Sequence, residues 1–302
     1  MSAAPAFTIP NFEVLELLGR GGMASVWKAR QVSLDRHVAI KVLSPTFATD
    51  PEDVGRFREE ARAAAQLKHP GIVEVYDANF ADGFYYFVME LVDGYTMGEL
   101  LRRKGRCEEG DALIMAENVA AAMDYAWTHF QMVHCDIKPD NIMVDADGSV
   151  KITDLGLSRS VAAMKHGAEE ESDENEILGT PAYMSPEQVY GSDRLDCRSD
   201  IYELGATLYH LVTGRMLFHG KTDEEMLHCH VEGDQALDPR RFSPGWVSDD
   251  LAILLEKMLA KDPRHRPLNW KWVLTDLNNM HNGYSLTPAH LPPSGSSMAR
   301  DT

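Results

Sequence analysis

The chain has 302 residues, and 29 Lys plus Arg against 47 Asp plus Glu give it a formal net charge of −18 and a pI near 5.0. A surface that acidic repels nucleic-acid backbones and anionic lipid, which excludes nucleic acid as a partner and requires local cations or a metal wherever a phosphate is handled. With 44% hydrophobic and 25% charged residues the chain can bury a real core. The cysteines, Cys107, Cys135, Cys197 and Cys229, are spaced like reduced thiols in a cytoplasmic protein, and there is neither a secretory leader nor a run of about 18 apolar residues to span a membrane.

Residues 1–11 read as a flexible N-terminus. From Phe12 to about Glu90 short β-type runs follow one another: FEVLELL, SVWKAR, HVAIKVL, IVEVYD and FYYFVME. One helix interrupts them between Glu52 and Leu67, where Val54, Phe57, Ala61 and Ala64 recur at helical spacing and Pro70 forbids continuation. A β-rich domain over residues 12–92 is expected. Beyond it, over 93–282, the pattern is mainly helical: an alanine-rich stretch from Asp111 to His129, a segment from Ile201 to Thr213 stopped by Gly214, and an amphipathic face of Leu251, Leu254, Leu255, Met258 and Leu259. One β-type insert, NIMVDADGSVKITD, turns at Asp147-Gly148. The acidic run 169–176 reads as a solvated loop, and residues 283–302 as a flexible tail rich in Pro, Ser and Gly.

Three groups of residues carry chemistry. The cluster Gly19-Arg20-Gly21-Gly22-Met23-Ala24-Ser25-Val26 satisfies a dinucleotide fingerprint, but SVWKARQV after it alternates like a strand, so it reads as a hairpin tip over a nucleotide or as a bare tight turn. Lys41 ends Val38-Ala39-Ile40-Lys41, a run otherwise built for burial, and needs an anionic partner. Glu60, on the inward face of the helix, offers one; two solvated surface charges are the alternative. Last comes His134-Cys135-Asp136-Ile137-Lys138-Pro139-Asp140-Asn141, followed by Asp154-Leu155-Gly156.

Taken in order, the glycine loop, Val38 to Lys41, Glu60, the 134–141 segment, Asp154-Leu155-Gly156 and Ser185-Pro186-Glu187 resemble the eukaryotic-like (Hanks-type) protein kinases over residues 12–280. Lys138 two residues after Asp136, GTPAYMSPEQ and LGRGGMASVW are similar to the bacterial serine/threonine branch. The resemblance implies an α+β bilobal kinase fold, with a β-rich small lobe, a helical large lobe and an activation segment over 154–187. It implies ATP and Mg²⁺ (Mn²⁺ as a substitute ion) as cofactors, and protein serine or threonine hydroxyls as acceptors.

The same resemblance distributes roles. Backbone amides from Gly19 through Arg20, Gly21, Gly22 and Met23 to Ala24 would cover the phosphates. Lys41, oriented by Glu60, would hold the α- and β-phosphates, and Asn141 and Asp154 would ligate Mg²⁺ as hard oxygen donors. Asp136 would accept the alcohol proton, Lys138 would steady the γ-phosphate, and Thr180 would bond to that pair. Val26 and Ala39 would wall the adenine, with Met89 as gatekeeper and the backbone of Glu90 and Val92 as its hydrogen-bonding hinge. Glu187 with Arg266, and Asp200, would be structural: a buried ion pair and a brace for the catalytic loop.

Where this sequence departs from the pattern, the expectations change. Cys135 stands where many kinases have arginine, removing the main cationic partner of a phosphate on the activation segment and predicting little dependence on its phosphorylation. Ala24 replaces the third glycine of the loop, and Leu155 a phenylalanine. The His228-Cys229-His230 triplet does not share one helix face, so it reads as structural rather than metal-binding. A nucleotide-binding pseudokinase scaffold, a small-molecule phosphotransferase and a pure interaction module are the rival readings. Sequence gives neither the oligomeric state nor the protein substrate.

Overall fold

The computed structural model describes residues 7–154, 159–160, 180–192, 195–220, 222–232, 238–242, 245–288 and 297–298. The chain divides into two compact units, Met1–Gly94 and Tyr95–Thr302.

The first unit is a five-stranded antiparallel sheet with one helix. Its elements are β1 (Phe12–Arg20), β2 (Ala24–Gln31), β3 (Arg36–Leu43), α1 (Pro51–Ala65), β4 (Val75–Ala81) and β5 (Phe84–Met89), with strand order β1-β2-β3-β5-β4. Helix α1 starts where Asp50 accepts the Glu52 amide at 2.8 Å and Pro51 occupies the first turn. Register and alternation sort the side chains of the sheet. Val26 lies opposite Lys41, Ala39 opposite Met89 and Lys41 opposite Phe87, so these residues share one face. The other face carries Trp27, Ala29, Val38, Ile40, Val42, Tyr86 and Val88, which form the hydrophobic core of this unit.

Two sequence expectations are corrected here. Residues 7–11 were expected to be loose, yet Phe7 and Ile9 are buried in that core, and the Phe7 ring meets Trp27 edge-on at 5.5 Å. Two apolar side chains suffice to pin a terminus whose flanking composition suggests freedom. The strand expected over IVEVYD runs instead from Val75 to Ala81, with a bulge between Val75 and Asp77. It is an edge strand whose residues 76–80 are exposed, so the hydrogen-bond ladder to β5 defines it rather than alternating hydrophobicity.

The second unit opens with β6 (Gly94–Thr96), α2 (Met97–Lys104), α3 (Glu109–Phe130), β7 (Met132–Val133), a turn of 3-10 helix (Pro139–Asn141), β8 (Ile142–Asp145), β9 (Val150–Ile152) and β10 (Arg159–Ser160). It continues with α4 (Pro186–Val189), α5 (Cys197–Thr213), α6 (Asp223–Glu232), α7 (Pro239–Phe242), α8 (Asp249–Met258) and α9 (Trp270–His281). Helix α5 is buried along its length except at Arg198 and His210, and α3 and α8 pack against it. It ends at Gly214 with φ of +69°. Hairpin β8–β9 turns with Gly148 at φ +87°.

The tail expectation is also corrected. Leu286 is buried and gives its amide to Asp250 at 2.7 Å; Ser297 is buried against the Tyr202 hydroxyl at 2.9 Å, and Met298 is buried beside it in sequence. Among the described residues no helix is long and apolar enough to cross a membrane. Leu155, Gly156, Ser158, Ser172 and the run 169–176 lie outside the described residues, and Ser160 is described by its backbone alone.

Candidate active site

In the first unit the strand pattern sets the site. The hairpin β1–β2 brings Gly19 opposite Val26 and Arg20 opposite Ser25, and its tip of Gly21, Gly22 and Met23 closes through the Gly21 amide on the Ala24 carbonyl at 2.8 Å. Neither Gly19, Gly21 nor Gly22 has positive φ, and a Cβ at Gly19 or Gly22 would meet nothing within 4 Å. The fold itself therefore makes no demand for glycine here. Lys41 meets Glu60 at 2.6 Å, with their side chains 14% and 9% exposed, so the ammonium placed in a buried run has the partner its burial requires. Phe57 of α1 lies 5.1 Å from Phe87, which fixes the helix over the face that carries Lys41. Ala39, Met89 and Val92 are buried. The Glu90 amide is committed to the Glu74 carbonyl at 2.8 Å.

In the second unit β7 delivers His134, and the chain then reverses through Cys135 at φ +65°. Asp136 sits at the centre of a closed set of hydrogen bonds. Its Oδ2 takes the Lys138 ammonium at 2.7 Å and the Asn141 amide at 3.0 Å. Its Oδ1 takes the Thr180 hydroxyl at 2.7 Å, and that hydroxyl in turn accepts from Lys138 Nζ at 2.6 Å. Asp136, Lys138, Asn141 and Thr180 are thus brought together.

Asn141 also donates to the Asp136 carbonyl at 2.9 Å, so its Nδ2 is spent on Asp136 and its Oδ1 points the other way. The Thr153 amide binds the Asn141 carbonyl at 2.9 Å, tying the residues that follow β9 to the same turn. One carboxylate and one amide oxygen are a donor pair suited to Mg²⁺, which takes few protein ligands and keeps several waters. Asp154 itself has φ of +58°, a left-handed backbone uncommon outside glycine. His134 joins the two strands: its Nδ1 accepts the Asp136 amide at 3.2 Å and its Nε2 donates to the Thr153 carbonyl at 3.1 Å. Burial pushes its pKa down, against the pull of Asp136, and the neutral tautomer satisfies both contacts.

Support comes from farther along the chain. Asp200, fully buried, accepts the His134 and Cys135 amides at 2.8 and 2.9 Å. Burial pushes its carboxyl up to about 7, with the two amides pulling the other way. Arg266, with no side-chain exposure, forks onto Glu187 at 2.6 and 2.8 Å. Burial works against the Glu187 charge, but the guanidinium outweighs it and holds the pKa below the usual range. Removing one member of such a pair strands the other charge, at a cost of about 3–5 kcal/mol.

Sequence reasoning missed Gln188, Glu203 and Thr207, which hold the backbone on both sides of Asp136. The one available signal was an acid, Glu203, inside the otherwise apolar stretch IYELGATLYHLV. The His228-Cys229-His230 triplet forms no metal-binding cluster among the described residues; His230 is buried with its Nδ1 2.8 Å from the Tyr202 hydroxyl.

The comparisons with known proteins give the family and the fold. The family model for the protein kinase domain matches residues 12–275. The serine/threonine-protein kinase PrkC of Bacillus subtilis is 38% identical over 256 residues, 85% of this chain and 38% of that protein. PknB of Mycobacterium tuberculosis is 36% identical over 283 residues, 92% of this chain and 44% of that protein, so the chain spans about two fifths of the length of these relatives. Among solved structures, a point mutant of the Mycobacterium tuberculosis PknI kinase domain superposes with a TM-score of 0.69 at 26% identity, covering 93% of this chain and all of that one. A β-sheet unit followed by a helical unit, carrying these side chains in this order, has the bilobal α+β kinase architecture, and the chain belongs to the protein kinase family, alongside the bacterial serine/threonine kinases.

Proposed function

We propose that this chain transfers the γ-phosphoryl group of ATP to serine and threonine hydroxyls of proteins, its own among them. The observation that carries the reading is the closed contact of Asp136, Lys138, Asn141 and Thr180. A carboxylate within 2.7 Å of a hydroxyl, with an ammonium bound to both groups, is arranged to accept a proton from an alcohol while cationic charge stands by for the phosphoryl group. Bare glycine backbone at a hairpin tip that has no need of glycine supports a role for residues 19–24 in covering phosphates. Lys41, held by Glu60, suits the α- and β-phosphates. Val26, Ala39 and Met89, on one sheet face, suit the adenine, with the backbone of Glu90 and Val92 as hinge. Asn141 and Asp154 would hold Mg²⁺, which offsets the charge of the triphosphate.

The protein incubated with labelled ATP and Mg²⁺ should pass label to protein serine or threonine, and Asp136→Asn should abolish this, a loss of at least about 100-fold. Label retained in the Asp136→Asn protein removes the proposed role of the carboxylate; no transfer by the unsubstituted protein favours the pseudokinase reading.

Regulation follows from Cys135. Its side chain is fully buried and both of its backbone groups are engaged, so this position presents no cation to a phosphorylated loop. Dephosphorylated protein should keep its rate within about threefold of the autophosphorylated form, and single substitutions of Ser158, Ser160 and Ser172 should leave that unchanged. A large drop on dephosphorylation, not traceable to Thr180, refutes this.

A further inference from the structure

Three polar side chains of α5 fall on one face of the helix, at positions 200, 203 and 207, and all are buried. Each takes a backbone group of the 134–137 segment. Asp200 holds the His134 and Cys135 amides. Glu203 Oε2 accepts the Ile137 amide at 2.7 Å, and the Thr207 hydroxyl donates to the Ile137 carbonyl at 3.0 Å. Gln188 of α4 completes the set, giving its Nε2 to the Cys135 carbonyl at 3.1 Å and to Glu203 Oε1 at 2.7 Å. Cys135 and Ile137, the residues on either side of Asp136, therefore have both their amide and their carbonyl held. Cys135 needs this hold, because φ of +65° is a conformation that L side chains avoid.

A carboxylate is a costly way to supply such a hold. Glu203 is 1% exposed, and among the described residues no Lys, Arg or His pairs with it. Burial and the neighbouring Asp200 charge push its carboxyl well above the usual range. The donors around it explain why glutamate stands here. Gln188 Oε1 is fixed by the Ser185 amide at 2.8 Å and the Ser185 hydroxyl at 2.7 Å, which aims its NH₂ at Glu203. Glu203 thus faces two N–H donors, one on each oxygen. Glutamine, of the same shape, has one acceptor and would set its own NH₂ against one of them.

We infer that Glu203 is a positioning residue for Asp136, holding the peptide after it directly and the peptide before it through Gln188. This rests on the proposed role of Asp136 as proton acceptor. The side chain touches neither Asp136, Lys138 nor Thr180, and acts only through the backbone that carries them.

The test is Glu203→Gln in the full chain. The kcat should fall about 10- to 100-fold, the scale of a reactive group displaced by a fraction of an ångström, with KM for ATP moving less than about twofold. The reciprocal double variant, Glu203→Gln with Gln188→Glu, restores a donor–acceptor match between the two side chains and leaves an oxygen for Ile137, but it puts an oxygen where the Gln188 amide donates to the Cys135 carbonyl. Its readout is therefore exchange at Ile137, and kcat recovers only in part. Amide exchange at Ile137, read on the same proteins without nucleotide, should rise about tenfold in the single variant and fall back in the double.

Unchanged kcat and exchange in Glu203→Gln overturn the inference, as does a double variant in which exchange at Ile137 stays as high as in the single variant. Should the single variant fail to fold, an active double variant sustains the inference, and a double that also fails to fold overturns it by making Glu203 a core residue only. Asp136→Asn is assayed alongside. Activity surviving that substitution removes the reading of Asp136, while the exchange at Ile137 still decides whether Glu203 holds the loop.

Discussion

Arg266 shows what one side chain can hold. All five of its N–H donors are used: two on Glu187, and the others on the carbonyls of Ala260, Arg198 and Lys261. A lysine could match neither the fork nor the count. His230 poses the opposite case, a titratable group buried without an opposite charge beside it. Burial pushes its imidazole down to about 3. Because the folded-state value lies below the unfolded one near 6.5, the unfolded chain binds the extra proton between them, and stability is complete above about pH 6.5 and lost as pH falls toward 3. Between about pH 7 and pH 5 this one residue should cost about 2 kcal/mol. His230→Gln keeps a partner for the Tyr202 hydroxyl and does not titrate. Urea midpoints at the two pH values should therefore fall less in the variant, and equal falls would show that His230 is not held neutral.

Among the elements, the C-terminal ends of α2 and α5 meet through their glycines. Gly214 closes α5 at φ +69°, and a Cβ on it would lie 2.3 Å from the Gly105 carbonyl oxygen, which is backbone and cannot swing away. Gly148 has φ of +87° but open space around it. Gly214→Ala should therefore lose more than about 2 kcal/mol, against about 1 kcal/mol for Gly148→Ala, a difference visible as several degrees in thermal melts. Equal losses would mean that the two helix ends can part at no cost. Both glycines were legible in the sequence because a helix stop and a hairpin tip are local events. Lys41 with Glu60 was legible as a cation in a buried run and an acid on an inward helix face, and Asp136 with Lys138 and Asn141 through the motif that resembles the kinases. Phe7, the polar edge strand β4 and the burial of Leu286, Ser297 and Met298 were not, since long-range pairing decides them and local pattern does not. Glu203 and Thr207 escaped for the same reason: they meet Ile137 from 66 and 70 residues away.

At the scale of the whole chain the excess of acid dominates. With a net charge of −18 the folded state repels itself, and Lys138, Lys41 and Arg266 lie in local pairs that added salt screens less than the exposed surface. The melting temperature should rise between about 10 mM and about 300 mM sodium chloride, where exposed charges more than about 10 Å apart lose sight of one another. A fall would mean that surface attraction, not repulsion, prevails. The closed ring around Asp136 has a consequence at this scale too. A phosphotransferase surrounded by solvent wastes its nucleotide if stray water reacts, since nearly every encounter is with water. Here a water molecule arriving alone finds both oxygens of the carboxylate already engaged, by Thr180 on one and by Lys138 and Asn141 on the other. On the role proposed for Asp136, an acceptor reaching Oδ1 competes there with the Thr180 hydroxyl, a contest that a guest carried in on a larger body is better placed to win than a lone water.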